Sequence, residues 1–175
     1  MNKYVAFLRA INVGGHSIIR MADLKRMFES AGLENVQTYI QSGNVIFESE
    51  EKDTVVLEKK IETQLKKATG SKIQTFVRTM QEVQSIASKA PFTATDGETA
   101  YVAFLNQKPG KKEQQVLLAF KSHADDFAFK GREIYALRRD REKSVFSTNF
   151  LEKTLNMLTT TRNLTVIKKI AEKYQ

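Results

Sequence analysis

Five residues occur twice in this chain: Tyr4-Val5-Ala6-Phe7-Leu8 returns, letter for letter, as Tyr101-Val102-Ala103-Phe104-Leu105. Buried strands draw on few residue types, so five letters alone constrain little. The constraint comes from the segments behind each copy, because their apolar patterns run in the same order. In the first copy, the apolar run from Tyr4 to Ile11 reads as a strand buried on both faces. Met21, Leu24, Phe28 and Ala31 recur at helical spacing, and Gly32 is placed to end that helix. Val36 to Gln41 alternates, Ser42-Gly43 makes a turn, and Asn44 to Glu48 is the hairpin partner. A second helix spans Asp53 to Ala68, with Leu57, Ile61, Leu65 and Ala68 on one stripe and Gly70 at its end. Ile73 to Thr79 is a fourth strand. The order β-α-β-β-α-β is a ferredoxin-like unit.

Thr79-x-x-Glu82 is a capping box that opens a short helix, and Pro91 closes it. Ala90 to Gly97 then reads as a linker. Behind the second copy comes a helix begun at Pro109, with Val116, Leu117 and Phe120 facing inward. Next are strands over Asp126 to Lys130 and Glu133 to Arg139, then a helix from Asn149 to Met157 and a terminal helix from Arg162 to Tyr174. The expected fold is therefore α+β, with two ferredoxin-like subdomains over residues 1–90 and 91–175. The second is expected to lack its last strand and to end in an extra helix.

Composition narrows the function classes. The chain has 175 residues and no cysteine, which excludes a disulfide framework, thiolate catalysis and any zinc site that uses sulfur. Its two histidines, His16 and His123, form no helical pair, so no metal ligand set is expected, and no cofactor is implied. No apolar run approaches about 18 residues, so neither a membrane span nor a secretory signal is expected, and the expected location is cytoplasmic. Lys and Arg number 28 against 20 Asp and Glu, a net charge of +8 that favours acidic partners.

Two stretches carry chemistry. In Arg9-Ala10-Ile11-Asn12-Val13-Gly14-Gly15-His16, paired glycines after a buried strand can turn backbone N–H groups onto an anion. In a β-α-β-β unit the first two strands run parallel, so their C-terminal ends share one edge of the sheet. Gln41-Ser42-Gly43-Asn44 turns the chain at that same edge, and Gln41 and Ser42 offer more polar groups than a hairpin needs. The second stretch is Thr160-Thr161-Arg162-Asn163. An arginine in the first turn of a helix opposes the macrodipole, which points either to a shared anion or to an internal carboxylate. The expected ligand set is Arg9, Asn12, Gly14, Gly15, Gln41, Ser42, Gly43, Asn44, Thr161, Arg162 and Asn163, holding a small phosphorylated or carboxylated molecule. Alternatives are a Ser42 nucleophile with His16 as base, phosphate-backbone binding of nucleic acid through the basic run Lys130 to Lys143, and a protein-interaction module without a small ligand.

Four landmarks in sequence order resemble those of a bacterial family, domain of unknown function 1697. They are Leu8 to Gly15, Met21-Ala22-Asp23-Leu24, Thr38 to Asn44, and Thr160 to Asn163. The resemblance implies a compact, cytoplasmic α+β protein of two related subdomains, and no activity. Ala10 stands where the family commonly has glycine, Arg20 where proline is common, and Leu164 where tryptophan is frequent.

Overall fold

In the computed structural model, which describes Met1–Gln175, the two copies of the repeated pentapeptide are inner strands of two like sheets. The first sheet contains β1 (Asn2–Leu8), β2 (Glu34–Tyr39), β3 (Asn44–Ser49) and β4 (Thr75–Thr79), in the order β2-β3-β1-β4. Helix α1 (Met21–Ser30) links β1 to β2, α2 (Thr54–Thr69) links β3 to β4, and α3 (Met80–Ser88) follows β4. The second sheet repeats the plan with β5 (Thr99–Phe104), α4 (Lys111–Leu118), β6 (Asp125–Lys130), β7 (Glu133–Arg138), α5 (Thr148–Leu155) and β8 (Thr160–Asn163), ordered β6-β7-β5-β8. Helix α6 (Leu164–Lys173) ends it. All neighbouring strands within each sheet are antiparallel. The compact units are Met1–Ser85 with Ile170–Gln175, and Ile86–Lys169.

Each unit has its own core. In the first, Leu24 and Phe28 of α1 and Leu57, Ile61 and Leu65 of α2 cover one face of the sheet, meeting Tyr4, Ala6, Leu8, Phe47 and Val77. In the second, Leu117, Leu151 and Leu155 cover Ala103, Leu105, Phe127, Ile134 and Ala136. The opposite face of β1, including Val5 and Phe7, is buried as well, which is why this strand carries an unbroken apolar run rather than an alternating one. Local signals do what their chemistry predicts. Asp53 accepts from the Val55 N–H, and Gly70, at φ 77°, closes α2 in the left-handed conformation. Thr79 and Glu82 exchange the two bonds of a capping box, at 2.8 and 3.0 Å.

The repeat extends to residues that share no letters. Arg78 lies opposite Val5 in the β1–β4 ladder, and Arg162 lies opposite Val102 in the β5–β8 ladder. Both arginines are buried, and each sends Nη1 to the carbonyl of the preceding residue at 3.0 Å.

Three expectations need correction. The second unit does not lack its last strand: β8 completes it. Arg162 is accordingly not in the first turn of a helix but in that strand, and α6 begins two residues later, at Leu164. Threonine reads equally as an N-cap and as a β-branched strand residue; here pairing with β5 decides, and Asn163 does the capping, accepting from the Thr165 N–H at 3.0 Å. Finally, Leu117 faces the core, but Val116 and Phe120 are 43% and 44% exposed, because α4 starts at Lys111 and presents a narrower stripe than the sequence suggests. No helix is long and apolar enough to cross a membrane.

Candidate functional site

The two turns of the first unit meet, as the parallel relation of β1 and β2 requires. Leu8 N donates to Gly43 O at 2.9 Å, and Asn12 Nδ2 donates to Gln41 O at 2.8 Å. Asn12 also donates to Ile19 O at 3.1 Å while its Oδ1 accepts from Ile19 N at 2.8 Å, so one amide closes the base of a loop from Asn12 to Ile19. Within that loop Gly14 and Gly15, at φ 58° and 76°, form the two-residue turn of a small finger in which Val13 pairs with His16. Consecutive positive φ angles are what such a turn demands. Gly43 is required for a different reason. At φ 87° a Cβ there would sit 2.7 Å from Ile11 Cδ1 and 3.0 Å from Leu8 Cβ.

The expected ligand residues therefore divide. Asn12 and the fully buried Asn44 are turn staples; Asn44 Nδ2 donates to Tyr39 O at 2.9 Å and to Ser42 Oγ at 3.0 Å. Gly43 is a packing necessity. Gly14, Gly15, His16, Gln41 and Ser42 are exposed, and Arg9 is half-buried, with its N–H donating to Gln74 O at 2.9 Å. Thr161, Arg162 and Asn163 belong to the second unit. Arg162 Nη1 donates to Thr160 Oγ1 at 2.7 Å, and burial pulls its guanidinium down to about 10, which leaves it charged at neutral pH.

Backbone strain concentrates at this edge. Ala10, Asn12, Ser17 and Ile40 all adopt positive φ, between 49° and 56°. Asparagine tolerates that region, but a β-branched residue there is an outlier. Ile40 is also 48% exposed, and Val13 and Ile18 on the same edge are 64% and 73% exposed, so burial of apolar surface does not account for them.

Beyond Ile19 the loop opens onto a cleft of about 610 Å³ lined by Ile18, Arg20, Arg26, Met27, Gln64 and Thr69, among others. Arg26 hydrogen-bonds Asp23, and Arg20 Nε lies 3.7 Å from the same carboxylate. The Arg26 bond holds the Asp23 carboxyl below its ordinary range. Two guanidinium groups share one carboxylate, so the cluster keeps a net positive charge. Neither arginine belongs to the ligand set expected from the sequence. The available signal was Arg20-x-x-Asp23-x-x-Arg26, which places all three on one helical face directly after the glycine loop.

In the basic run of the second unit, Lys130, Arg138 and Arg139 have partners within the protein. Arg138 lies over the Tyr101 and Phe146 rings and donates to Phe146 O at 2.9 Å. Arg139 and Lys121 both reach Asp126, at 3.3 Å, and Lys130 donates to Lys89 O.

The family described as "Protein of unknown function (DUF1697)" matches residues 1–135. No curated protein matches the chain. Among solved structures, the fold is similar to that of the conserved bacterial protein SP0830 from Streptococcus pneumoniae, with 22% identity, 99% of both chains covered and a TM-score of 0.75. An unknown protein from Galdieria sulphuraria aligns at 12% identity over 93% of this chain and 98% of its own, with a TM-score of 0.25, too low to carry an argument.

Proposed function

The chain belongs to the DUF1697 family, which brings a fold and no activity, and we propose from the geometry of its first unit that it binds a small phosphorylated or carboxylated molecule at the sheet edge formed by the Asn12–Ile19 loop, the Ile40–Gly43 turn and the Arg20–Arg26 cleft. One observation carries this reading. The scaffold is present twice, and only the first copy is elaborated at this edge. Residues 9–20 connect β1 to α1, whereas residues 105–110, half as many, make the equivalent connection in the second copy. Residues 40–43 connect β2 to β3, whereas residues 131–132 suffice between β6 and β7. The fold needs only the shorter versions, so the added loop, its strained residues and its exposed polar groups serve something else. Arg20 and Arg26, two guanidiniums over one carboxylate, select an anion.

The test is a thermal-shift screen of phosphorylated and carboxylated metabolites, repeated on Arg26→Ala. A ligand at 100 times its dissociation constant adds about 2.7 kcal/mol to stability. The expected result is saturable stabilisation of the wild-type protein that weakens at least about tenfold in affinity in the variant, the worth of one charge-assisted bond. Equal stabilisation of both proteins by every hit removes the cleft from the reading.

A further inference from the structure

Both units protect the outer edge of their last strand with side chains from the preceding helix, and from the one place where they differ we infer a carboxylate-binding site on the outer edge of β8, centred on Thr161. β4 pairs only with β1, so the N–H groups of alternate residues point away from the sheet. Two glutamates one turn apart on α2 receive them: Glu62 Oε1 accepts from Thr75 N at 3.1 Å, and Glu58 Oε1 accepts from Val77 N at 2.9 Å. The second unit repeats the first half of this arrangement. Glu152 Oε2 accepts from Thr159 N at 2.9 Å, and Thr159 lies one step beyond the Phe104–Thr160 pair of the β5–β8 register, as Thr75 lies one step beyond the Phe7–Phe76 pair of β1–β4.

The second half differs. Four residues before Glu152, where α2 has Glu58, stands Thr148; two residues after Thr159, where β4 has Val77, stands Thr161. The Thr148 hydroxyl is too short to take the carboxylate's place and instead donates to Thr161 Oγ1 at 3.0 Å. The Thr161 N–H points outward by the same alternation that directs Thr159, and no group of the protein accepts from it. With Thr148 as the donor in that pair, the Thr161 hydroxyl hydrogen can turn towards a ligand. One half-buried residue thus offers two donors at the position where the first unit seats a carboxylate of its own. A small carboxylic acid from solution supplies the same planar acceptor that Glu58 supplies internally. Thr148, Glu152, Thr159 and Thr161 all lie in the second unit, so this site and the edge proposed above stand or fall separately.

Acetate and inorganic phosphate are the probes, titrated into the ¹⁵N-labelled full chain while the Thr161 amide resonance is followed. The expected result is a saturable downfield shift with acetate. Thr148→Glu, which restores the first unit's arrangement, abolishes that response and raises Tm; Thr148→Val keeps the fold and leaves the Thr161 amide responsive. The reciprocal variant Glu58→Thr gives Val77 an acetate-responsive amide. A Thr161 amide that ignores acetate, that answers only phosphate, or that responds equally in Thr148→Glu overturns the assignment.

Discussion

Ala10 and Ile40 sit in the left-handed region with side chains that raise its energy, at φ 56° and 53°. The strain is worth about 1–2 kcal/mol per residue, partly offset in a glycine variant by the greater entropy of the unfolded chain. Ala10→Gly should therefore raise stability by about 0.5–1 kcal/mol, read as a higher urea midpoint at unchanged slope. Ile40→Asn, which keeps a side chain suited to positive φ, should gain about 1 kcal/mol by the same measurement; a loss in either variant would show that the residue packs against something that matters more than its backbone. Tyr135 gives a pH-dependent case. Its hydroxyl donates to Ile86 O at 3.1 Å, and burial, helped by the charge of Glu133, pushes the phenol up to about 12. A folded pKa above the free value of about 10 favours the protonated phenol in the fold. Its contribution is complete below pH 10 and is lost as pH rises towards 12. Tyr135→Phe should accordingly cost about 1 kcal/mol at pH 7, and the gap between the two urea midpoints should close above pH 10.

At the scale of elements, the glutamate clamp on β4 makes its own prediction. Glu58 is buried and its carboxylate satisfies the Val77 N–H. Glu58→Ala leaves a buried donor unpaired and should cost about 1–3 kcal/mol, with faster hydrogen exchange at Val77 than at Thr75, which keeps Glu62. Unchanged exchange at Val77 would mean that another acceptor takes over. This clamp is invisible in the sequence for a physical reason: Glu58 and Glu62 lie on a helix whose apolar stripe is complete without them, so their pattern resembles any solvated face. The sheet order, by contrast, is legible because strand and helix periods alternate cleanly from Tyr4 to Thr79. β8 is not legible, since four polar residues at an edge have no apolar alternation to announce a strand, and only the partner β5 makes them one. At the candidate site, the meeting of two turns follows from strand polarity alone. The division of labour between Asn12 and Asn44 as staples and Gly14 and Gln41 as exposed groups depends on which carbonyls lie within reach, which no spacing encodes.

For the whole molecule, a net charge of +8 invites a nucleic-acid reading, and Arg138 offers a test of how much of that charge is free to serve it. Arg138 is held between two aromatic rings and three hydrogen-bond acceptors, Ser144 Oγ, Tyr101 OH and Phe146 O. Arg138→Ala should lower stability by about 1–3 kcal/mol and leave retention on a heparin column nearly unchanged; a clear loss of retention with intact stability would return this surface to the nucleic-acid reading. Duplication also exposes an asymmetry. The two units share one strand order, yet they part company at the edge where the first carries its finger.

The Asn12 amide ties the base of that finger to Ile19 and Gln41, while at the tip a Cβ on Gly15 would meet nothing within 4 Å. Length at the tip is thereby uncoupled from the packing beneath it. Over evolutionary time, insertions and deletions between residues 13 and 18 can be sampled without retuning the core, provided the amide at position 12 is kept. The fold itself thus sets little limit on finger length, any limit coming from what the finger serves, and a peptide tag placed after Gly15 should leave the native fold intact.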